Sequence, residues 1–243
     1  MEEDISKIIN LENLPEHIAI IMDGNRRWAK AHNLDVPQGH KEGAENLKRI
    51  AKFANKLGIK YMTVYAFSTE NWKRTKEEVG ALMKLLKFYI MDFFKSYDEN
   101  IKIRVIGRVE DLPKDIIAEI KKVEEKTKNN TGLVLNIAFN YGGRDEITTA
   151  VKKIAEKVKN NELDINDIDE SVVSNNLYTA GQPDPDLLIR TSGEERISNF
   201  LPWQISYSEF VFTDKYWPEY GEKELLESIQ VYQKRTRRFG GNK

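Results

Sequence analysis

The stretch Asp23-Gly24-Asn25-Arg26-Arg27 combines residues that could bind and activate a phosphorylated substrate. It follows the apolar run IAIIM and precedes a helical pattern, so it has the position of a turn between a strand and a helix. Gly24 permits the turn, Asn25 is a candidate helix cap, and the arginines would face an anion at the helix start. Asp23 beside a phosphate would need a cation between them, and Mg²⁺ prefers such oxygen ligands. An Asp-Gly turn with solvated arginines is the alternative for this motif alone.

Similar polar groups follow other candidate strands. The run YMTVYAF is followed by STENWKR, LVLNIAFN is followed by YGGRDE, and DLLI is followed by RTSGEERISNF. Because ligands of such sheets bind beyond the carboxyl ends of the strands, we expect these loops to converge on one site. The planar arginine fork matches phosphate oxygens, so an arginine-rich set favours a diphosphate over a simple carboxylate. His40, near a helix start, either joins this site or is a cap or surface group.

Six short runs rich in β-branched or aromatic residues predict the strands that position these loops: HIAIIM, YMTVYAF, IKIRVIG, LVLNIAFN, DLLIRT and EFVFTD. Charged stretches with helical spacing separate most of them, near residues 41–57, 76–97, 113–128 and 143–160. This alternation predicts an α/β fold, with a mostly parallel central sheet of about six strands flanked by helices. The stretch 81–94 is apolar nearly all round but too short to span a bilayer, so it is a buried helix or the wall of an apolar cavity.

Composition narrows the function classes. With 243 residues, 40% of them hydrophobic, the chain can bury one large core or two small ones, and the absence of a linker-like segment favours one. The net charge of -1 provides no overall field to attract nucleic acid. The absence of cysteine excludes disulfides and cysteine nucleophiles, and with an acidic N-terminal stretch that lacks a signal-peptide layout it predicts a cytoplasmic protein. No GxGxxG or GxxxxGK[ST] motif indicates a dinucleotide or P-loop site.

Seven segments resemble the cis-prenyltransferase family, and within it the bacterial undecaprenyl diphosphate synthases: HIAIIMDGNRRWAK, GHKEGAENL, YAFSTENWKR, NIAFNYGGRDEI, PDLLIRTSGEERISNFLPWQISYSEF, FTDKYWP and RRFGG. The resemblance runs from about His17 to Gly241, which makes 1–243 a single domain with 1–16 as an N-terminal extension. It implies a homodimer with a hydrophobic tunnel that extends an allylic diphosphate, such as farnesyl diphosphate, with isopentenyl diphosphate units through cis double bonds. Mg²⁺ is the implied cofactor, and undecaprenyl diphosphate, for the cell-wall lipid carrier, is the implied product.

The matched motifs also imply residue roles. Asp23 corresponds to the catalytic, metal-binding aspartate, Glu209 to a second metal ligand, and Asn71 to the position usually named as proton acceptor. A neutral amide is a poor base, so we interpret Asn71 as positioning a proton path to a diphosphate oxygen. The closing Arg238-Phe239-Gly240 resembles a motif that reaches the isopentenyl site from the partner subunit. The other matched positions are substrate-binding: Gly24, Asn25, Arg26, Arg27, Trp28, His40, Ser68, Thr69, Glu70, Trp72, Arg74, Arg190, Arg196, Ile197 and Ser198.

Two positions depart from the family pattern. Val36 stands where relatives carry an arginine four residues before the histidine of the GH motif, and Phe139 is bulkier than the alanine of some relatives. These departures leave the starter and the product length open, so a shorter-chain synthase is one alternative. A non-catalytic scaffold subunit of a heteromeric synthase is another, although such subunits typically lose the residues that Asp23 and Asn71 retain. Transient membrane contact during product release also stays open.

Overall fold

A parallel sheet lies at the centre of the computed structural model, which describes residues 5–73, 75, 77, 79–80, 82–84 and 100–235. The strand order is β3-β4-β2-β1-β5-β6, and every adjacent pair is parallel. The predicted sheet of six strands is therefore confirmed, and all carboxyl ends point to one edge. The strands are β1 His17–Ile21, β2 Tyr61–Ser68, β3 Lys102–Ile106, β4 Val134–Tyr141, β5 Leu187–Arg190 and β6 Glu209–Phe212.

Helices follow most of the strands. In the described residues they are α1 Asn25–Ala31, α2 Val36–Leu57, α3 Lys114–Thr127, α4 Gly143–Lys159, α5 Glu170–Ser174 and α6 Glu222–Lys234. The predicted bounds of α3 and α4 are confirmed within one residue at each end. Helix α2 begins earlier than predicted, because the side chains of Asp35 and Gln38 each bond the other's backbone N–H in a capping box. Most of the predicted helix 76–97 lies outside the described residues.

Strands β1 and β5 bury both of their faces. Along β1, Ile18 and Ile20 pack into the core beneath α2, α3 and α6, whereas Ala19 and Ile21 pack into a second core with Phe200. Successive side chains of a strand point to opposite faces, so a strand covered on both sides reads as an unbroken apolar run. This explains why the run IAIIM lacks the alternation of a half-exposed strand. Within the described ranges, no helix has both the length and the apolar character needed to cross a membrane.

The described part of the predicted N-terminal extension packs onto the last helix. Ile9 is buried in the same core as α6. The side chain of Gln233 donates hydrogen bonds to the carbonyls of Asn10 and Asn13, both at 2.7 Å, and accepts one from Asn10 N at 2.9 Å. Residues 5–16 therefore share the packing and hydrogen bonding of the fold.

A buried polar network lies at the amino end of the sheet. His17 Nδ1 donates to the carbonyl of Pro183 at 2.7 Å, because that carbonyl can only accept, and Nε2 then accepts from the Thr63 hydroxyl at 2.7 Å. Asn136 donates to Thr63 Oγ1 and exchanges two hydrogen bonds with Gln182. Burial lowers the pKa of His17 from 6.5 to about 4 and outweighs the opposing effect of the Pro183 carbonyl. The network thus requires a neutral imidazole.

We expect the free energy of unfolding to fall as the pH is lowered through the ordinary range of histidine. The unfolded chain takes up a proton at His17 below pH 6.5 while the folded chain does so only near pH 4, so acid favours unfolding. This one group should cost about 2 kcal/mol between pH 7.5 and pH 5. Urea unfolding at the two pH values measures the loss. The His17→Gln variant, which cannot titrate, should lose about 2 kcal/mol less. An equal pH dependence in the two proteins would contradict the assignment.

Candidate active site

The turn after β1 begins the candidate site, and Gly24 shapes it. Gly24 has a positive φ of 107° and is the N-cap of α1, because its carbonyl accepts the hydrogen bond from Trp28 N at 2.8 Å. A Cβ at this position would lie 2.9 Å from both Ser192 Oγ and Tyr216 Cδ1. Asn25 was expected to cap the helix but is its first residue, since only glycine fits the preceding left-handed position.

The backbone of Asp23 is fixed by residues that the sequence analysis did not select. The Asp23 carbonyl accepts hydrogen bonds from Thr191 Oγ1 at 2.6 Å and from Trp217 N at 3.0 Å. The fully buried Trp217 ring also donates from Nε1 to the carbonyl of Gly43 in α2 at 2.7 Å. Trp217 thus links the turn to α2. The motif FTDKYWP, which contains Trp217, indicated the family but did not indicate this role.

The Asp23 carboxylate lies between two arginines. Arg27 Nη2 is 3.2 Å from Oδ1, and Arg190 Nη2 is 3.0 Å from Oδ2. The Arg190 side chain is only 5% exposed, and its Nη1 donates to Ser198 Oγ at 2.8 Å and to the carbonyl of Arg196. Together with Arg196, these arginines outnumber the carboxylates of Asp23 and Glu194, and the net positive charge favours an anionic ligand.

Glu194 is a further acidic member of this cluster. Its carboxylate accepts hydrogen bonds from Arg196 Nη1 and, at 3.1 Å, from Arg27 Nη1. The hydrogen bond and charge of Arg196, with a smaller effect of Arg27, lower the pKa of Glu194. It therefore joins the loop after β5 to α1. Glu194 was not among the predicted site residues, although an acidic residue between Arg190 and Arg196 in the sequence could have indicated this role.

A pocket of about 820 Å³ opens at this edge of the sheet, a volume within the usual range of small-molecule sites. Its lining includes polar or charged residues and glycine, namely Asp23, Gly24, Asn25, Arg26, Arg27, Lys30, Asp35, His40, Ser68, Asn71, Arg190 and Ser198. It also includes mainly apolar side chains, which come from Ile21, Met22, Leu34, Val36, Tyr65, Ala66, Phe67 and Leu82. The pocket can therefore hold a molecule with an anionic head and a hydrocarbon body.

Several predicted site residues lie outside the pocket wall. Trp28 packs against His32 with tilted rings whose centroids are 4.4 Å apart, and Trp72 donates from Nε1 to Asn140 Oδ1 at 2.7 Å. Arg196 is bound to Glu194, and Ile197 packs against the second core. Thr69 and Glu70 bond to one another and do not line the pocket. Arg74, the motif at 238–240 and all but residues 82–84 of the apolar stretch 81–94 fall outside the described residues.

Asn71 has one end of its amide occupied. Its Oδ1 accepts a hydrogen bond from Ser68 N at 3.0 Å, which leaves the Nδ2 hydrogens for a ligand in the pocket. This orientation suits a donor to a diphosphate oxygen better than a proton acceptor.

Glu209 lies at the other end of the sheet. It starts β6 and pairs in register with Leu187, which in turn pairs with Ile18, whereas Asp23 follows the carboxyl end of β1. The three residues from Ile18 to Ile21 alone place the two acids about 10 Å apart along the strand direction. Glu209 accepts a 2.7 Å ion-pair hydrogen bond from Arg235. Within one chain Glu209 therefore lies apart from Asp23, and its role as a second metal ligand stays a prediction.

A magnesium ion fits Asp23 only together with a substrate. The part of the chain that the structure describes contains no group of three or more His, Cys, Asp or Glu side chains that could hold a metal ion. Mg²⁺ in phosphate sites is commonly held by one or two carboxylates and the substrate phosphates, and retains several waters. One carboxylate in an arginine-lined pocket matches that arrangement, with Asp23 as the protein ligand.

Comparisons with known proteins identify the family. The model of the family described as putative undecaprenyl diphosphate synthase matches residues 21–240. An isoprenyl transferase of Clostridium tetani is 52% identical over 234 residues, which cover 96% of this chain and 92% of the relative. The ditrans,polycis-undecaprenyl-diphosphate synthase ((2E,6E)-farnesyl-diphosphate specific) of Micrococcus luteus is also 52% identical, with coverages of 96% and 94%.

Solved structures show the same fold. Lavandulyl diphosphate synthase from Lavandula x intermedia, crystallised with dimethylallyl diphosphate, matches with a TM-score of 0.90 and 40% identity, covering 93% of this chain and 98% of that one. A probable undecaprenyl diphosphate synthase from Campylobacter jejuni matches with a TM-score of 0.78 and 32% identity, with coverages of 94% and 99%. The chain therefore belongs to the undecaprenyl diphosphate synthase family and is a prenyl transferase.

Proposed function

We propose that the protein is a Mg²⁺-dependent cis-prenyltransferase that condenses isopentenyl diphosphate with an allylic diphosphate, in a single domain spanning 1–243. The observation that carries this proposal is the pocket beside Asp23, whose lining combines arginines with apolar side chains. A prenyl diphosphate likewise combines an anionic head with a hydrocarbon chain. Burial of each further CH₂ group would contribute roughly 0.8 kcal/mol, so the apolar side chains favour the growing chain.

Different residues of the cluster stabilise the charges of the two diphosphates. Arg26 and Arg27 at the start of α1 face the allylic diphosphate, and Arg190 with Ser198 faces the isopentenyl diphosphate. These fixed donors stabilise the negative charge that develops as the allylic diphosphate leaves. Asp23 would hold Mg²⁺ together with the substrate, and the bound ion would supply further neutralisation of that charge.

We also propose that the enzyme acts as a homodimer. Arg235, the last described residue, is anchored to Glu209 at the amino end of the sheet, whereas Asp23 lies beyond its carboxyl end. This position supports a role for the motif at 238–240 in the site of a neighbouring subunit. Gel filtration and light scattering test the oligomeric state, and a monomer at assay concentrations would contradict it.

A long product, undecaprenyl diphosphate made from farnesyl diphosphate, is the first candidate, because it is the activity named for the Micrococcus luteus relative. The likeness to lavandulyl diphosphate synthase favours a shorter-chain synthase as the second candidate. Phe139 stands behind the pocket wall and stacks on Phe67 with centroids 5.0 Å apart. A hydrophobic tunnel leading inward from this pocket is required only by the first candidate.

The decisive experiment is to size the products. Purified protein is incubated with labelled isopentenyl diphosphate, Mg²⁺ and one starter at a time, either dimethylallyl, geranyl or farnesyl diphosphate. Long polyprenyl products from farnesyl diphosphate support the first candidate, and products that stop after one or a few additions support the second. If folded protein incorporates no labelled isopentenyl diphosphate with any starter, the proposal of cis-prenyl transfer is contradicted. That result would favour a non-catalytic subunit.

The side chain at position 36 is expected to affect how tightly the allylic starter binds. Val36 is the first residue of α2 and lines the pocket that also contains Arg26 and His40. An arginine here would add a charge-assisted hydrogen bond to the allylic diphosphate, typically worth roughly 1.5–3 kcal/mol. Because the existing cations share that task, we expect Val36→Arg to lower the KM for farnesyl diphosphate by about tenfold, with little change for isopentenyl diphosphate. Steady-state kinetics at saturating Mg²⁺ measure both, and an unchanged or higher allylic KM would show that position 36 does not contact the starter.

A further inference from the structure

Asn199, in the loop after β5, contacts two other segments at the carboxyl edge of the sheet. Its side chain donates from Nδ2 to Glu70 Oε1 at 3.0 Å and accepts from Arg144 N at Oδ1 at 2.9 Å. Its own carbonyl accepts from Gly143 N at 2.8 Å. One residue therefore joins the loop after β5 to the loop after β2 and to the first turn of α4.

The loops approach so closely that side chains are excluded between them. A Cβ on Gly142 would lie 2.6 Å from Thr69 Oγ1 and 3.1 Å from Asn199 Nδ2. A Cβ on Gly143 would lie 2.0 Å from Pro202 Cδ. The two glycines of YGGR thus allow the loops to approach each other. This loop was expected to join the anion site, but the backbone N–H groups of Gly143 and Arg144 donate to Asn199.

The backbone of Asn199 also favours this residue type. Its φ is 64°, in the left-handed region that asparagine and aspartate occupy more readily than most residues. Glu70 is suited to accept the hydrogen bond as a carboxylate. Burial opposes its ionisation, but hydrogen bonds from its own backbone and from Asn199, Ser68 and Thr69 outweigh burial and lower the pKa of Glu70.

The connected loops carry the two sides of the pocket. Ser68 and Asn71 flank Glu70, and Ser198, which is bonded to Arg190, directly precedes Asn199. We infer that Asn199 is a positioning residue for prenyl transfer: it holds the isopentenyl-side loop against the loop of Asn71 through Glu70. This inference rests on the proposed function of the site. Because the reacting groups must be aligned closely, a small shift between these loops should slow the reaction strongly.

The test exchanges donor and acceptor between the partners. Asn199→Asp keeps the acceptor for Arg144 N and the tolerance of the left-handed backbone, but it places a second carboxylate against Glu70. Losing a hydrogen bond to a charged group corresponds to roughly 10- to 100-fold, and we expect a loss of that size in kcat/KM, with a raised KM for isopentenyl diphosphate. Adding Glu70→Gln restores the hydrogen bond in the reverse direction, because the new amide at position 70 can donate to the new carboxylate at position 199. We expect the double variant to be at least about tenfold more active than Asn199→Asp alone.

Asn161→Asp is the matched control. Asn161 is exposed, also has a left-handed backbone with φ 59°, and lies just past the end of α4, so its variant should keep wild-type kinetics. Calorimetry measures the binding of isopentenyl diphosphate to the wild type, Asn199→Asp and the double variant without a starter, and so compares them independently of turnover. Weaker binding in Asn199→Asp that the double variant reverses supports the positioning role. No loss in Asn199→Asp, or no recovery in the double variant by either readout, overturns it, whereas an inactive wild-type protein would refute the proposed function itself.

Discussion

Replacement of Asp23 by alanine is expected to reduce turnover by on the order of 10²-fold or more, equivalent to at least about 2.7 kcal/mol. The carboxylate lies between Arg27 and Arg190, and the proposed function gives it the metal ion as well. Its side chain is 30% exposed, so it contributes little to the hydrophobic core. Steady-state kinetics with a Mg²⁺ titration measure the loss.

Asp23→Asn is the matched variant for this experiment. It keeps the shape of the side chain and an acceptor oxygen for Arg190 but removes the negative charge. We expect a loss similar to that of the alanine variant and a melting temperature close to wild type. A folded asparagine variant with near-normal kcat and an unchanged Mg²⁺ requirement would remove the Asp23 charge from the mechanism.

Arg190→Lys is expected to lower kcat/KM for isopentenyl diphosphate by about 10²-fold, because it removes two charge-assisted contacts at the centre of the cluster. The buried guanidinium reaches Asp23 and Ser198 with different nitrogens, at 3.0 Å and 2.8 Å. A lysine ammonium keeps the charge but cannot reproduce this planar fork. Kinetics at varied isopentenyl diphosphate concentration, with the allylic diphosphate saturating, measure the effect.

Arg104→Lys provides the control for that substitution. Arg104 lies on the edge strand β3, where its Nη2 donates to the carbonyl of Tyr178 at 3.3 Å, and it does not line the pocket. We expect its kinetics to match wild type. If Arg190→Lys also stays within about threefold of wild type, the fork is not required for transition-state stabilisation.

The sheet could be predicted from the sequence because several of its inner strands are buried on both faces. Strands such as β1 and β5 therefore read as unbroken apolar runs with sharp ends. The start of α2 was predicted too late, since its boundary depends on the mutual bonding of Asp35 and Gln38. The N-cap of α1 was predicted one position too late, at Asn25, because Gly24 takes the left-handed capping position.

The candidate site was predictable where residues directly follow strands. Asp23, Ser68 and Arg190 come from three neighbouring strands, and the parallel order brings all three to one pocket. Contacts between loops were not predictable, because Trp217 and Asn199 act on partners far away in the sequence. The place of Glu209 at the start of β6 also depends on the strand register, which a family motif does not state.

Strand β1 carries a constraint at each end. His17 begins it and is bonded into the buried network, and Asp23 follows it with both its carbonyl and its carboxylate bonded. The five residues of the strand pair with β2 along their whole length. Inserting or deleting one residue here would move one end by about 3.3 Å and turn the remaining side chains to the opposite face. The length of this strand is therefore far less free to vary during evolution than that of the exposed segment between α4 and α5.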